Sequence, residues 1–138
     1  AKSELWWFPL GPFIKAGGAF KVRRGERDTA AIETAVELAR DGNAVVIFPE
    51  GTRRQKGMVK KYEARAHTGA ARIALGAGVP LIPAAIKGTD NLRRLGPLRV
   101  VYGEPIPLGD LDGRDERDAA QEATDRLMAE IARLEGTL

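Results

Sequence analysis

The run Ala44, Val45, Val46, Ile47, Phe48, closed by Pro49, constrains the fold more than any other part of this 138-residue chain. Such a run offers no polar face to water, so it reads as a strand covered on both sides, as the inner strands of parallel sheets are. A helix precedes it: Asp28 is the expected N-cap, Ile32, Ala35, Val36 and Ala39 share one helical face, and Gly42 ends the pattern. A second helix and strand follow. Thr68 is the expected cap of a helix over 69–75, and residues 81–86 form the next strand, although Pro83 suits a central position poorly. Residues 99–102 and 19–22 are further strand candidates, and 103–113, rich in Pro, Gly and Asp, reads as a linker. It leads to an amphipathic C-terminal helix over 114–135, with Ala120, Ala123, Leu127, Ile131 and Leu134 at helical spacing. This alternation predicts an α/β fold with a mainly parallel or mixed sheet flanked by helices, built as one domain over 1–138.

Composition removes several classes of chemistry. The absence of cysteine excludes disulfides, thiolate zinc sites and a cysteine nucleophile. One serine, Ser3, and one histidine, His67, leave little from which to build a nucleophilic triad. There is no HExxH motif, no spaced carboxylate cluster and no P-loop, so neither a catalytic metal nor nucleotide hydrolysis is expected. No apolar stretch in the sequence is long enough to span a bilayer as a helix. Charge is unevenly spread: residues 1–65 hold 13 basic and 8 acidic side chains, and residues 66–138 hold 9 and 11. The front half therefore favours an anionic partner: a phosphate ester, a lipid surface or a nucleic acid.

In open α/β sheets ligands gather beyond the carboxyl ends of strands, which directs attention to Phe48, Pro49, Glu50, Gly51, Thr52, Arg53 and Arg54. Gly51 allows backbone N–H groups to approach an anion, Thr52 adds a hydroxyl, and the Arg53 fork can hold a phosphate through two hydrogen bonds. Glu50 suits a substrate hydroxyl or a neighbouring arginine better than a phosphate. A plain turn followed by solvated arginines remains open beside this reading. Arg23 and Arg24 follow the strand candidate at 19–22 and could reach the same sheet edge, or stand exposed. The basic stretch from Arg53 to Arg65 is a solvated loop or a guide for an anionic substrate. Trp6, Trp7, Phe8, Leu10, Phe13 and Ile14 suit core packing first and membrane-interface contact second.

The segment FPEGTR, Phe48 to Arg53, resembles the third block of the glycerophosphate and lysophosphatidate acyltransferase family, the PlsC-like enzymes. Three further segments resemble blocks of that family in the same order: AKSEL at the start of the chain, GAFKVRRG from Gly18 to Gly25, and VPLIP from Val79 to Pro83. The resemblance implies a glycerol-3-phosphate acyltransferase-like fold and transfer of a fatty acyl group from acyl-CoA or acyl-carrier protein to lysophosphatidic acid or a related lysolipid. It implies work at the cytoplasmic face of a membrane in phospholipid synthesis, without a metal or dissociable cofactor. Residue by residue, Arg24 and Arg53 would contact the acceptor phosphate, while Glu50, Gly51 and Thr52 position its glycerol portion. Val79, Pro80, Leu81, Ile82 and Pro83 would shape the acyl side or simply form a buried strand.

One departure stands out. The family's first block, H-x4-D, supplies the general base and lies ahead of the AK-x-EL segment, whereas the position five residues after His67 is Arg72. The 138 residues thus hold no catalytic residue of the family's pattern, and the expectation is an N-terminally truncated domain, inactive alone, that retains the acceptor-binding half. His67 reads as a structural residue near a helix start. A non-catalytic anionic-lipid-binding module is the alternative. A nucleic-acid binder rests only on the basic front half and lacks interleaved aromatic and basic residues, so no nucleic-acid partner is expected.

Overall fold

The computed structural model describes residues 29–50, 67–89 and 96–138. Its elements are α1 (Thr29–Arg40), α2 (Gly69–Ala77), β1 (Ala84–Lys87), β2 (Arg99–Tyr102), a 3₁₀ turn (Gly109–Leu111) and α3 (Glu116–Glu135). Helices packed with a small sheet are consistent with an α/β fold, although the described elements run helix, helix, strand, strand, helix and do not alternate. The described ladder is antiparallel, with Ala84 opposite Tyr102, Ala85 opposite Val101, Ile86 opposite Val100 and Lys87 opposite Arg99. No parallel pair occurs among the described residues, and both Asp28 and the 19–22 strand candidate lie outside them.

Helix α3 is the longest element and the best capped. The Asp115 carboxylate accepts from the N–H groups of Arg117 at 2.9 Å and Asp118 at 3.2 Å, and Glu116 and Asp118 in the first turn favour the positive end of the helix dipole. This cap starts the helix two residues later than periodicity alone suggests. Its buried stripe consists of Ala119, Ala120, Ala123, Thr124, Leu127, Ile131 and Leu134. Thr124 is tolerated there because its hydroxyl donates to the Ala120 carbonyl at 2.6 Å.

The stripe organises everything else. Near the start of α3, Ala119, Ala120 and Ala123 meet Ala71, Ala74, Leu108 and Leu111; farther along, Leu127 and Ile131 meet Ala70, with Ile47, Leu81 and Ile106 packed alongside. Farther still, Glu130 and Leu134 stand against Gly103, and the Lys87 ammonium donates to the Leu138 carbonyl at 2.6 Å. Helix α2 therefore runs opposite to α3, while β1 runs alongside it in the same direction. Helix α1 rests on α2, where Gly76 lets the Val36 side chain approach: a Cβ at Gly76 would sit 3.3 Å from it. The Arg40 guanidinium reaches the Gly76 carbonyl and ties the two helices together.

Several sequence expectations shift. Residues 44–48 carry no strand assignment, and among the described residues only one side of the run is packed. Val45 and Ile47 are half-buried, whereas Val46 and Phe48 are 81% and 74% exposed, so only the face that meets α3 is packed. The second strand begins at Ala84 because Pro83 has no N–H to donate; its carbonyl still accepts from Gly103 at 2.9 Å, and Leu81 pairs separately with Ile106. The Thr68 hydroxyl makes no cap, and α2 extends to Ala77, ending at Gly78 in the left-handed conformation. The segment 103–113 is not a linker: Leu108 and Leu111 are buried, and Ile106 bridges to Leu81.

Two expected outcomes follow from this packing. A Cβ at Gly103 would lie 2.9 Å from Pro83 Cγ, 3.1 Å from Glu130 Oε1 and 3.2 Å from Leu134 Cδ1. Gly103→Ala should lower unfolding stability in urea by about 1 to 3 kcal/mol, whereas Gly109→Ala, which meets nothing within 4 Å, should not. The second concerns Asp110, whose two oxygens accept from Arg126 at 3.0 and 2.7 Å, which holds its carboxyl below the ordinary value of 3.8. A carboxylate with a depressed folded value stabilises at neutral pH and loses that contribution as pH falls through the acid range. Thermal unfolding of Asp110→Asn followed from pH 7 to about pH 2 should therefore show a smaller acid-induced loss than the parent.

Candidate acceptor site

The sheet-edge segment singled out in the sequence begins at one end of the described body. The Pro49 carbonyl accepts from the His67 N–H at 3.0 Å, so the chain leaves at Glu50 and returns at His67 with the two ends fastened together. Pro49 is buried and Glu50 half-buried, while His67 is exposed, two residues before α2 begins. Because α2 runs opposite to α3, its start points toward the C-terminal end of α3. Ile47 packs with Ala70, Leu127 and Ile131, and the hydrogen bond from His67 brings Pro49 to the start of α2, so residues 44–49 advance toward that same end.

Strand β1 ends there too. Lys87 reaches Leu138 beyond α3, and Gly88 turns the chain with φ of +97°. Only glycine fits at that position, since a Cβ would come within 2.3 Å of the Pro97 carbonyl oxygen. Pro49, Glu50, His67, Lys87 and Arg99 consequently share one end of the molecule, the end at which 44–48 and β1 both finish. This is where open α/β folds collect ligands. Sequence reasoning placed Glu50 here but missed Lys87 and Arg99; their signal was position, immediately at the end of one strand and the start of the next.

Of the remaining expected site residues, Arg24, Gly51, Thr52 and Arg53 lie outside the described residues. Val79 and Pro80 are at the far end of α2, which is about 13 Å long, and so do not join Glu50. They border a half-open groove of about 540 Å³ whose walls include Leu75, Pro105, Pro107 and Leu108. Leu81 packs in the core, Pro83 is fully buried, and Ile82 is 60% exposed on the outer side of the hairpin. Among the described residues no group of three His, Asp or Glu side chains is placed to hold a metal ion.

Known proteins carry the same pattern. The Acyltransferase family profile matches residues 1–87, which include the segments resembling all three later blocks. A 1-acyl-sn-glycerol-3-phosphate acyltransferase of Bacillus subtilis is 32% identical over 144 residues, covering all of this chain and 68% of the relative. One from Cocos nucifera is 33% identical over 122 residues, covering 80% of this chain and 38% of its own length. The crystal structure of the 1-acyl-sn-glycerophosphate acyltransferase PlsC from Thermotoga maritima superposes with a TM-score of 0.59 at 25% identity, over 98% of this chain and 55% of that one. The chain thus spans between about a third and two thirds of these proteins. With the family profile over most of its length and a relative above 30% identity along all of it, the chain belongs to the acyltransferase family of the 1-acyl-sn-glycerol-3-phosphate acyltransferases.

Proposed function

We propose that this chain binds the phosphorylated acceptor of an O-acyltransferase of phospholipid biosynthesis, one that moves a fatty acyl group from acyl-CoA or acyl-carrier protein to lysophosphatidic acid. The observation that supports this reading is the position of Phe48, Pro49 and Glu50, the described part of FPEGTR. These three residues sit at the end of the run 44–48, and the Pro49 carbonyl accepts from the His67 N–H beside Glu50.

In the reaction the acceptor hydroxyl oxygen attacks the thioester carbonyl carbon, its proton passes to a base, and the thiolate leaves. Arg53 and Arg24 hold the acceptor phosphate through charge-assisted hydrogen bonds, and Glu50, Gly51 and Thr52 orient the glycerol hydroxyl. The chain uses no metal or dissociable cofactor in this scheme. It works against a membrane, on the cytoplasmic face, because its acceptor carries an acyl chain. Among the described residues no helix is long and apolar enough to cross a bilayer.

A second reading is a module that binds anionic lipid without turnover. The sole histidine, His67, is followed five residues later by Arg72 and not by an aspartate. General-base help is worth about 10² to 10⁴ in rate, so acyl transfer by these 138 residues should stay near background under either reading, and robust turnover would show that another group serves as base. Binding tests the acceptor site directly. Arg53→Ala should weaken lysophosphatidic acid binding by about 10- to 100-fold in calorimetric titration, and Arg24→Ala should weaken it too; unchanged affinity in both would remove the phosphate assignment. Leu81→Ala should instead lower stability by about 2 kcal/mol with the affinity unchanged, as fits a core residue with no part in binding.

A further inference from the structure

The β1–β2 hairpin has two unlike faces. Pro83 and Ala85 are buried on the side that meets α3. The other side, set by the alternation of the strands, carries Ile82, Ala84 and Ile86 opposite Leu98, Val100 and Tyr102, all exposed, with Ile86 directly paired to Val100. No charged side chain interrupts it. Val46 and Phe48 flank Ile47, which meets α3, and so stand on the side away from that helix as well. The large hydrophobic side chains exposed among the described residues therefore all lie on one side, off α3. Apolar surface gathered in this way marks a contact.

We propose that residues 1–28 of this chain cover that face. The described helices are already engaged: α2 and α3 bury their stripes against each other and the hairpin, and α1 rests on α2. Three stretches lie outside the described residues, and their compositions differ. The stretch 51–66 holds six Lys and Arg, and 90–95 offers two leucines, whereas 1–28 holds five of the chain's eight aromatic residues: Trp6, Trp7, Phe8, Phe13 and Phe20. Aromatic side chains bring the largest apolar area per residue to such a contact. Length permits it too, since 28 residues joined to α1 at Thr29 reach up to about 90 Å when extended. The two tryptophans are then packing residues of the fold and not anchors in a lipid interface.

The test uses the 138-residue chain, whose only tryptophans are Trp6 and Trp7, so that tryptophan fluorescence reads residues 1–28 alone. In buffer without lipid its emission should lie to the blue of free tryptophan. Ile86→Lys/Val100→Lys, which sets two charges in the face, should shift it to the red and raise quenching by acrylamide. Gln121→Lys, on the exposed side of α3, should do neither. Because the chain has no cysteine, a nitroxide attached to Tyr102→Cys gives a second reading: it should quench the tryptophans more than the same label on Gln121→Cys. If the two lysines unfold the chain, the nitroxide pair decides alone. Emission unchanged by Ile86→Lys/Val100→Lys, in a variant with the parent's helical circular dichroism, would overturn the proposal, as would equal quenching from the two labels. Mixing the Tyr102-labelled chain with an excess of unlabelled Trp6→Phe/Trp7→Phe chain should leave the quenching in place. Its loss would identify a second copy as the occupant and overturn the proposal. Emission that moves to the blue only when phosphatidylglycerol vesicles are added would assign the tryptophans to a lipid surface and overturn it too.

Discussion

The buried stripe of α3 is the constraint on which the rest of the described structure depends. Apart from α1, which rests on α2, every other described layer finds its position by meeting a different stretch of it: α2 and the 3₁₀ turn near the start, Ile47 and the Leu81 to Ile106 bridge in the middle, and Pro83 with Gly103 near the end. Because these meetings follow one another along a single helix, the order of contacts also fixes direction. It is the reason the segment ending at Pro49 and the strand ending at Lys87 finish together, at the kind of end where open α/β folds collect ligands.

The shared end is built in steps of decreasing scale. The helix sets the strand directions, the strand directions gather the departing chain at Glu50 and the turn at Gly88, and charged residues stand beside these points. The Pro49 to His67 hydrogen bond gives the histidine a structural use through its backbone N–H, independent of its imidazole. The groove bordered by Val79 and Pro80 lies at the opposite end of α2, which separates that part of the fourth block from the departure point of the third.

Much of this was legible in the sequence where one physical signal dominated. The stripe Ala120, Ala123, Leu127, Ile131 and Leu134 announced α3, and residues 99–102 were found at the observed bounds because a β-branched run between a proline and a glycine leaves few options. What failed were inferences about partners. An apolar run such as 44–48 does not say how many of its faces another layer covers, and the exposed Val46 and Phe48 show that one described face is open. Pro105, Pro107 and Gly109 disguised a core segment as a linker, since punctuation residues mark backbone shape and do not reveal that Leu108 and Leu111 turn inward. The acceptor segment was recognised through its letters, whereas the Lys87 and Arg99 pairing needed strand register, which periodicity does not supply.

Near the start of α3 its contact with α2 is made chiefly of methyl groups: Ala71 and Ala74 on one side, Ala119, Ala120 and Ala123 on the other. Alanine has no rotamers to freeze, so bringing these helices together sacrifices almost no side-chain freedom. Small residues on both sides allow helix axes to approach closely. The same smallness leaves the joint unable to absorb a bulkier residue by turning a side chain aside. The joint therefore acts as a rigid gauge, and any enlargement there would be transmitted as a displacement of the start of α2, and with it of the backbone amide that holds Pro49.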